Sequence, residues 1–302
     1  MCDLHAEKLG RVCCRDKEDV ISLPKTLRRS FLDMYDECPY SLKQTLKYNI
    51  DSDGNLWSNV GNILHTIFEI DSLKDEHSCE DTLYEEFVKE FDILINSSPT
   101  LVTDASRLTN YDVIEKMHEK AKASIKTYVK YQSTASKPLH VEVELKLTTE
   151  DGLPDVTMTL DRIDRDGSGK TIILDYKTGK VFSGKDCVEG FQAPCYLLGF
   201  KETYGYLPDE FVFLFTSEDA RRTLVKKDDD TYVLTIRNKE HVLTLSESRV
   251  KIINHLTSMT EGKWGYGKNL NSFKCENFCG VKAKGFCSGV ESSFSNFFRG
   301  DK

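Results

Sequence analysis

The run T-I-I-L-D-Y-K-T from Thr171 to Thr178 narrows the possible folds of this chain more than any other. Four apolar or β-branched residues lead directly into Asp175 and Lys177, the pattern of a short, mostly buried strand with a polar end. Side chains alternate along a strand, so Asp175 and Lys177 project to one side and Tyr176 to the other. An acid able to hold a metal then stands beside a cation able to steady developing negative charge or orient a water.

An acid-x-Lys tripeptide occurs twice more, as Glu144-Leu145-Lys146 and Glu261-Gly262-Lys263, and context selects among them. Val156 to Asp164 reads as a strand whose apolar run stops at Asp161. Leu139 to Thr148 alternates strictly and carries Glu144. Gly167-Ser168-Gly169 joins the last two strands as a hairpin-like turn. Three strands in succession thus bring Glu144, Asp161, Asp175 and Lys177 to one neighbourhood, and magnesium or manganese takes one or two such carboxylates plus substrate phosphate and water. Asp186 to Tyr204 reads as one helix with an internal Pro194, on which Gln192 and Tyr196, four apart, share a face. A further apolar strand spans Glu210 to Thr216. The order strand, strand, strand, helix, strand predicts a mixed α/β sheet with its acids near one end.

These residues resemble the RecB-like branch of the PD-(D/E)XK nucleases, which includes AddB-type nuclease domains and CRISPR-associated adaptation exonucleases. The resemblance rests on five marks in order: S-F-L-D-M-Y-D-E-C-P-Y from Ser30, G-N-I-L-H from Gly61, L-D-R-I-D from Leu160, I-L-D-Y-K-T-G-K from Ile173 and Q-A-P-C-Y from Gln192. It implies a restriction-endonuclease-like mixed sheet with flanking helices, in which His65, Asp161 and Asp175 bind Mg2+ or Mn2+. It further implies that Lys177 serves catalysis and that Gln192 and Tyr196 support the site and contact DNA. Pro154-Asp155 also precedes the D-x-K, so Asp155 competes with Asp161, whose apolar flanks fit a strand end better. His65 falls on a helix expected from about Ser58 to Leu73, with Glu69 one turn further on.

The chain carries 10 cysteines in 302 residues, and no apolar run long enough to span a membrane is visible. With no N-terminal signal peptide in view either, a reducing cytoplasm, bacterial or phage-infected, is the expected setting, where clustered cysteines ligate metals. Cys275, Cys279 and Cys287 form C-x3-C-x7-C. The family resemblance nominates Cys38 as a fourth ligand, giving a 4Fe-4S cluster that ties the two ends of the chain together, with zinc as the alternative. The remaining cysteines read as incidental or as small buried hydrophobes.

Composition is that of an ordinary globular protein, 39% hydrophobic and 30% charged. A net charge of -8 argues against broad nucleic-acid coating and confines any DNA contact to a local groove. One candidate is Lys263 to Lys302, where seven basic residues against three acids are interleaved with aromatics, a mixture suited to single strands. The expected layout is a loose arm over 1–22, a helical lobe over 23–137 with Cys38 and His65, a nuclease core over 138–262 and a cysteine-cluster tail over 263–302. The expected function is a metal-dependent DNA exonuclease acting on single-stranded ends in recombination, repair or phage DNA metabolism, with any helicase or recombination partner on another chain. Two other readings compete: a catalytically silent or partner-dependent DNA-binding module, and a P-loop NTPase from Gly179 to Lys185, G-K-V-F-S-G-K. The second fails at Asp186, where a Ser or Thr hydroxyl belongs.

Overall fold

The computed structural model describes residues 21–50, 55–103, 110–135 and 138–265, together with Cys279, Val281, Gly285 and Cys287. Of the cluster cysteines, Cys275 lies outside the described residues, as do most of the basic and aromatic residues after Gly265 and nearly all of the expected N-terminal arm. A short strand β1 (Thr26–Arg28) leads into helices α1 (Ser30–Glu37) and α2 (Pro39–Tyr48). Then come α3 (Leu56–Ser72), α4 (Glu80–Ser97), the single turn α5 (Thr100–Thr103) and α6 (Asn110–Gln132). Strands β2 (Pro138–Leu147), β3 (Asp155–Arg165) and β4 (Thr171–Lys177) follow, then α7 (Gly184–Glu189), α8 (Gln192–Tyr204) and β5 (Glu210–Phe215). Finally β6 (Ala220–Lys226), β7 (Thr231–Ile236) and β8 (Lys239–Thr244) lead to α9 (Leu245–Thr260).

The eight strands form one mixed sheet in the order β1-β3-β4-β5-β6-β7-β8, with β2 on the other edge of β3. β1 runs parallel to β3, and β4 parallel to β5; the other pairings are antiparallel. Alternation along the central strands feeds two cores. Ile173 and Phe211, Phe213 and Phe215 face a core built with α1, α2, α8 and α9, whereas Leu174, Tyr176, Val212 and Leu214 face one built with α3, α4 and α6. The fold is thus three-layered, with the mixed sheet in the middle.

Local chemistry explains where the helices stop and start. α3 opens on a reciprocal cap, in which Asn55 Oδ1 accepts from the Ser58 N–H (2.9 Å) and Ser58 Oγ from the Asn55 N–H (3.0 Å). The chain at the C-P-Y mark forms two helices, because Cys38 precedes a proline and is held extended (φ -158°, ψ 95°), while Pro39 opens α2. The expected helix from Asp186 to Tyr204 is likewise two. Pro194 has no N–H for the Gly190 carbonyl four residues back, so the chain breaks at Gly190 (ψ 162°) and Pro194 sits in the first turn of α8. Nor is 23–137 wholly helical: it supplies β1 to the sheet and helices to both of its faces. Strand β8 and most of β6, short and only partly alternating, were not expected at all.

Candidate active site

The site forms where β3 and β4 part. Their antiparallel register runs from Arg165↔Thr171 to Arg162↔Leu174 and stops one step short of setting Asp161 opposite Asp175. Instead Asp161 Oδ2 accepts the backbone N–H of Tyr176 (2.6 Å), while β4 continues along β5 through Lys177↔Phe215. Alternation in β3 also slips here, since Leu160 and Ile163 face the same core although three apart. Two carboxylates and Lys177 thereby meet at a break in the ladder.

Helices close on this point from both faces. α3 brings His65, whose Nδ1 lies 3.5 Å from Asp161 Oδ2 and whose ring stands edge-on to Tyr176. Gly61, one turn earlier, permits that approach: a Cβ there would lie 2.9 Å from Thr178 Oγ1, just past the end of β4. From the opposite face α8 brings Gln192, whose Nε2 donates to Asp175 Oδ1 (2.6 Å) and lies 3.3 Å from the Tyr196 hydroxyl. Lys177 forms an ion pair with Asp175 Oδ2. That oxygen is fully buried and receives no well-directed hydrogen bond.

The two acids are pulled apart electrostatically. Burial dominates at Asp175 and, although Lys177 opposes it, lifts its pKa to about 6, with Asp161 adding repulsion. Burial also works against the Asp161 charge, but His65 and then Lys177 more than compensate, so its pKa is lowered. The His65 imidazole pays for burial yet is held above its ordinary value by Asp161.

A sequence profile of the PD-(D/E)XK nuclease superfamily matches residues 30–283. The chain belongs to the PD-(D/E)XK nuclease superfamily. No curated protein is significantly similar to it. Among solved structures it is similar to one described as the crystal structure of SSO0001, at 11% identity and a TM-score of 0.37, over 95% of this chain and 97% of that one.

In this PD-(D/E)XK chain, Asp161, Asp175, Lys177, His65, Gln192 and Tyr196 meet at one end of the sheet. Asp155 does not. It sits at the start of β3, held by the Thr149 N–H (3.0 Å) and Lys146 (3.0 Å), away from Asp175 and Lys177. Glu144 is also absent from the site, because it pairs in register with Thr159, two positions before Asp161. Its place is taken by Glu142, which lies between Val141↔Arg162 and Val143↔Leu160 and so stands opposite Asp161. Glu142 adopts a left-handed φ of 49°, rare for a strand residue with a side chain. Although the residue reaches the surface, partial desolvation of its carboxyl, then Asp161 and Glu69, push it up to about 7. Alternation alone could not find it, since Glu142 and Glu144 share a phase and only position along the ladder separates them.

The phosphate-loop reading has no geometric support. Ser183 and Asp186 cap α7 reciprocally, with Asp186 Oδ2 accepting from the Ser183 hydroxyl (2.7 Å). Gly184 is pressed against the His241 ring, and Lys185 pairs with Glu189. At the cysteine positions, Cys38, Cys279 and Cys287 form no disulfide. Cys279 Sγ lies 3.8 Å from the hydroxyl of Ser41, one turn beyond Cys38, and the Tyr40 N–H donates to the Gly265 carbonyl (2.9 Å). Among the described residues no three His, Cys, Asp or Glu side chains close on a common centre, and no helix is long and apolar enough to cross a membrane.

Proposed function

We propose that this protein is a metal-dependent DNA nuclease that hydrolyses phosphodiester bonds at single-stranded ends. The observation that carries the reading is the meeting of Asp161, Asp175 and Lys177 at the point where β3 and β4 separate, with His65 and Gln192 closing on it from opposite faces. Hard oxygen donors and one imidazole suit Mg2+ or Mn2+, and the buried, undirected Oδ2 of Asp175 is the kind of orphan atom a cation satisfies. His65, Asp161 and Asp175, which do not share a common centre here, would have to draw together to hold it, and Lys177 would have to give up its pair with Asp175. When bound, the ion supplies Lewis acidity to a phosphoryl oxygen and acidifies a water.

The chain's own residues do the rest. Gln192 fixes the Asp175 carboxylate through a side-chain hydrogen bond, and Tyr196 sits beside that amide. Asp161, tied to the Tyr176 amide, keeps a fixed direction toward the opening. Lys177, 21% exposed, is placed to donate to a substrate oxygen as negative charge builds on phosphorus, a contribution that operates only in the transition state.

A second cofactor belongs to the same reading. Cys38, Cys279 and Cys287, with Cys275, would hold a 4Fe-4S cluster, which would fasten the C-terminal segment to α2. The Cys279–Ser41 and Gly265–Tyr40 contacts support it, as does the thiolate chemistry of the set. The cluster's role is to hold the fold rather than to carry electrons. Recombination, repair or phage DNA metabolism is the setting in which such an end-directed nuclease works, with any motor on another chain.

The test is cleavage of end-labelled single-stranded DNA by anaerobically purified protein with Mg2+ or Mn2+. Asp175→Ala and Lys177→Ala are expected to abolish cleavage, by at least about a hundredfold, with iron content and melting unchanged. Residual activity within a few-fold of wild type in either variant would remove this site from the reaction, and colourless protein containing zinc would replace the cluster.

A further inference from the structure

Arg29 is a charged residue of the site region that no role above uses. It follows β1, and its N–H donates to the Thr157 carbonyl (2.9 Å), just ahead of α1. The edge of β3 is covered by β1 over Asp155 to Thr157 and by β4 from Arg162 onward. Arg29 therefore enters beside the uncovered interval that ends in Asp161.

Its guanidinium pairs with Asp33, one helical turn further on. Asp33 also takes the backbone N–H of Phe191, the residue ahead of Gln192. A continuous line of contacts thus runs from Arg29 through Asp33 and the start of α8 to Asp175. Burial works against the Arg29 charge, which Asp33 foremost, and Asp175 more weakly, support. The cation accordingly belongs to the electrostatics of the site.

A guanidinium carries five N–H donors in a rigid fork. Among the described residues its side-chain hydrogen bond is to Asp33 alone, and none of its nitrogens is both buried and unpartnered. The spare donors therefore open onto solvent through the 18% of the side chain that is exposed. An arginine serving only the fold would spend those donors on backbone carbonyls. In a chain of net charge -8, a mostly covered cation with spare donors on the strand edge that leads to Asp161 is matched to one kind of ligand, an oxyanion presented in a plane.

We propose that Arg29 is a further substrate-binding residue, its free guanidinium donors taking a nucleic-acid backbone phosphate next to the one cleaved while Asp33 holds the fork in place. The inference rests on the nuclease reading and names a contact on its substrate.

The test uses full-length protein and a fluorescent single-stranded oligonucleotide, with magnesium and manganese withheld so that binding is read without cleavage. Arg29→Gln is expected to weaken binding and to reduce the slope of log K against log salt by about 0.7, one phosphate contact on a single strand. With metal restored, KM should rise more than kcat falls. Arg29→Lys keeps the charge and the Asp33 pair but not the fork, so it should retain the slope while binding several-fold more weakly. It carries the test if Arg29→Gln melts early, and wild-type affinity in Arg29→Lys would then overturn the proposal. Wild type that binds and cuts, beside Arg29→Gln with the same slope and KM, sinks the Arg29 assignment alone. Wild type that neither binds nor cuts any nucleic acid sinks the nuclease reading beneath it.

Discussion

Asp175 combines two demands that conflict: it is 2% exposed, yet the proposed chemistry needs it ionised. Its ordinary value is 3.8 and its value in the fold about 6, so between these the folded state holds a proton that the unfolded state has released. The stability this group lends is complete below about 4 and is lost as pH rises through about 6. A bound cation acts in the opposite sense, since it competes with that proton. Added Mg2+ or Mn2+ should therefore raise the melting temperature clearly at about pH 8 and little at about pH 5; equal shifts at both would show that Asp175 is not a ligand. Glu142, opposite Asp161, gives a paired comparison: Glu142→Gln should change the metal dependence or lower kcat by about tenfold or more, whereas Glu144→Gln, opposite Thr159 on the same strand, should match wild type. Asp161, Asp175 and Lys177 were legible because each ends an apolar run. Glu142 was not, because its distinction lies in a backbone conformation that no residue pattern announces.

At the scale of elements, α3 is positioned by an absence. Gly61 has no side chain to strike Thr178, and that close approach sets His65 one turn later against Asp161. Gly61→Ala is expected to displace this turn and to lower kcat by roughly ten- to a hundredfold, since small misplacements of catalytic groups are expensive, while melting changes much less. Thr178→Ala should restore much of the loss in the double variant, and a double variant no better than Gly61→Ala would place the cause elsewhere. The strands β2 to β5 and the helix α3 were legible from periodicity, with ends shifted by one or two residues. The helix broken at Gly190 ahead of Pro194 was misread as continuous because the apolar pattern carries on across the break; the proline, not the pattern, decides.

For the whole molecule, the expectation of a helical lobe followed by a nuclease core divided the chain where the structure does not. α3, α4 and α6 pack on one face of the sheet, and α1 and α2 join α8 and α9 on the other, so residues 23–137 share both cores with the strands. The sequence could not announce this, because a three-residue parallel strand such as β1 has no periodicity and its partner is distant. If the cysteine cluster fastens the C-terminal segment to α2, oxidising it or stripping its metal should lower the melting temperature by several degrees; unchanged melting would remove its structural role.

The pairing of β1 with β3 bears on how the chain is made. Leu27 and Thr157 are 130 positions apart. At roughly 5–20 residues per second, a growing chain would wait on the order of ten seconds before β3 exists for β1 to join. Through that interval Leu32 and Leu42, completely buried in the finished molecule, have none of their sheet partners. Newly made protein should therefore pass through a stage in which its first two helices present bare apolar faces to whatever holds nascent chains in solution, and the site beside β3 can close only near the end of synthesis.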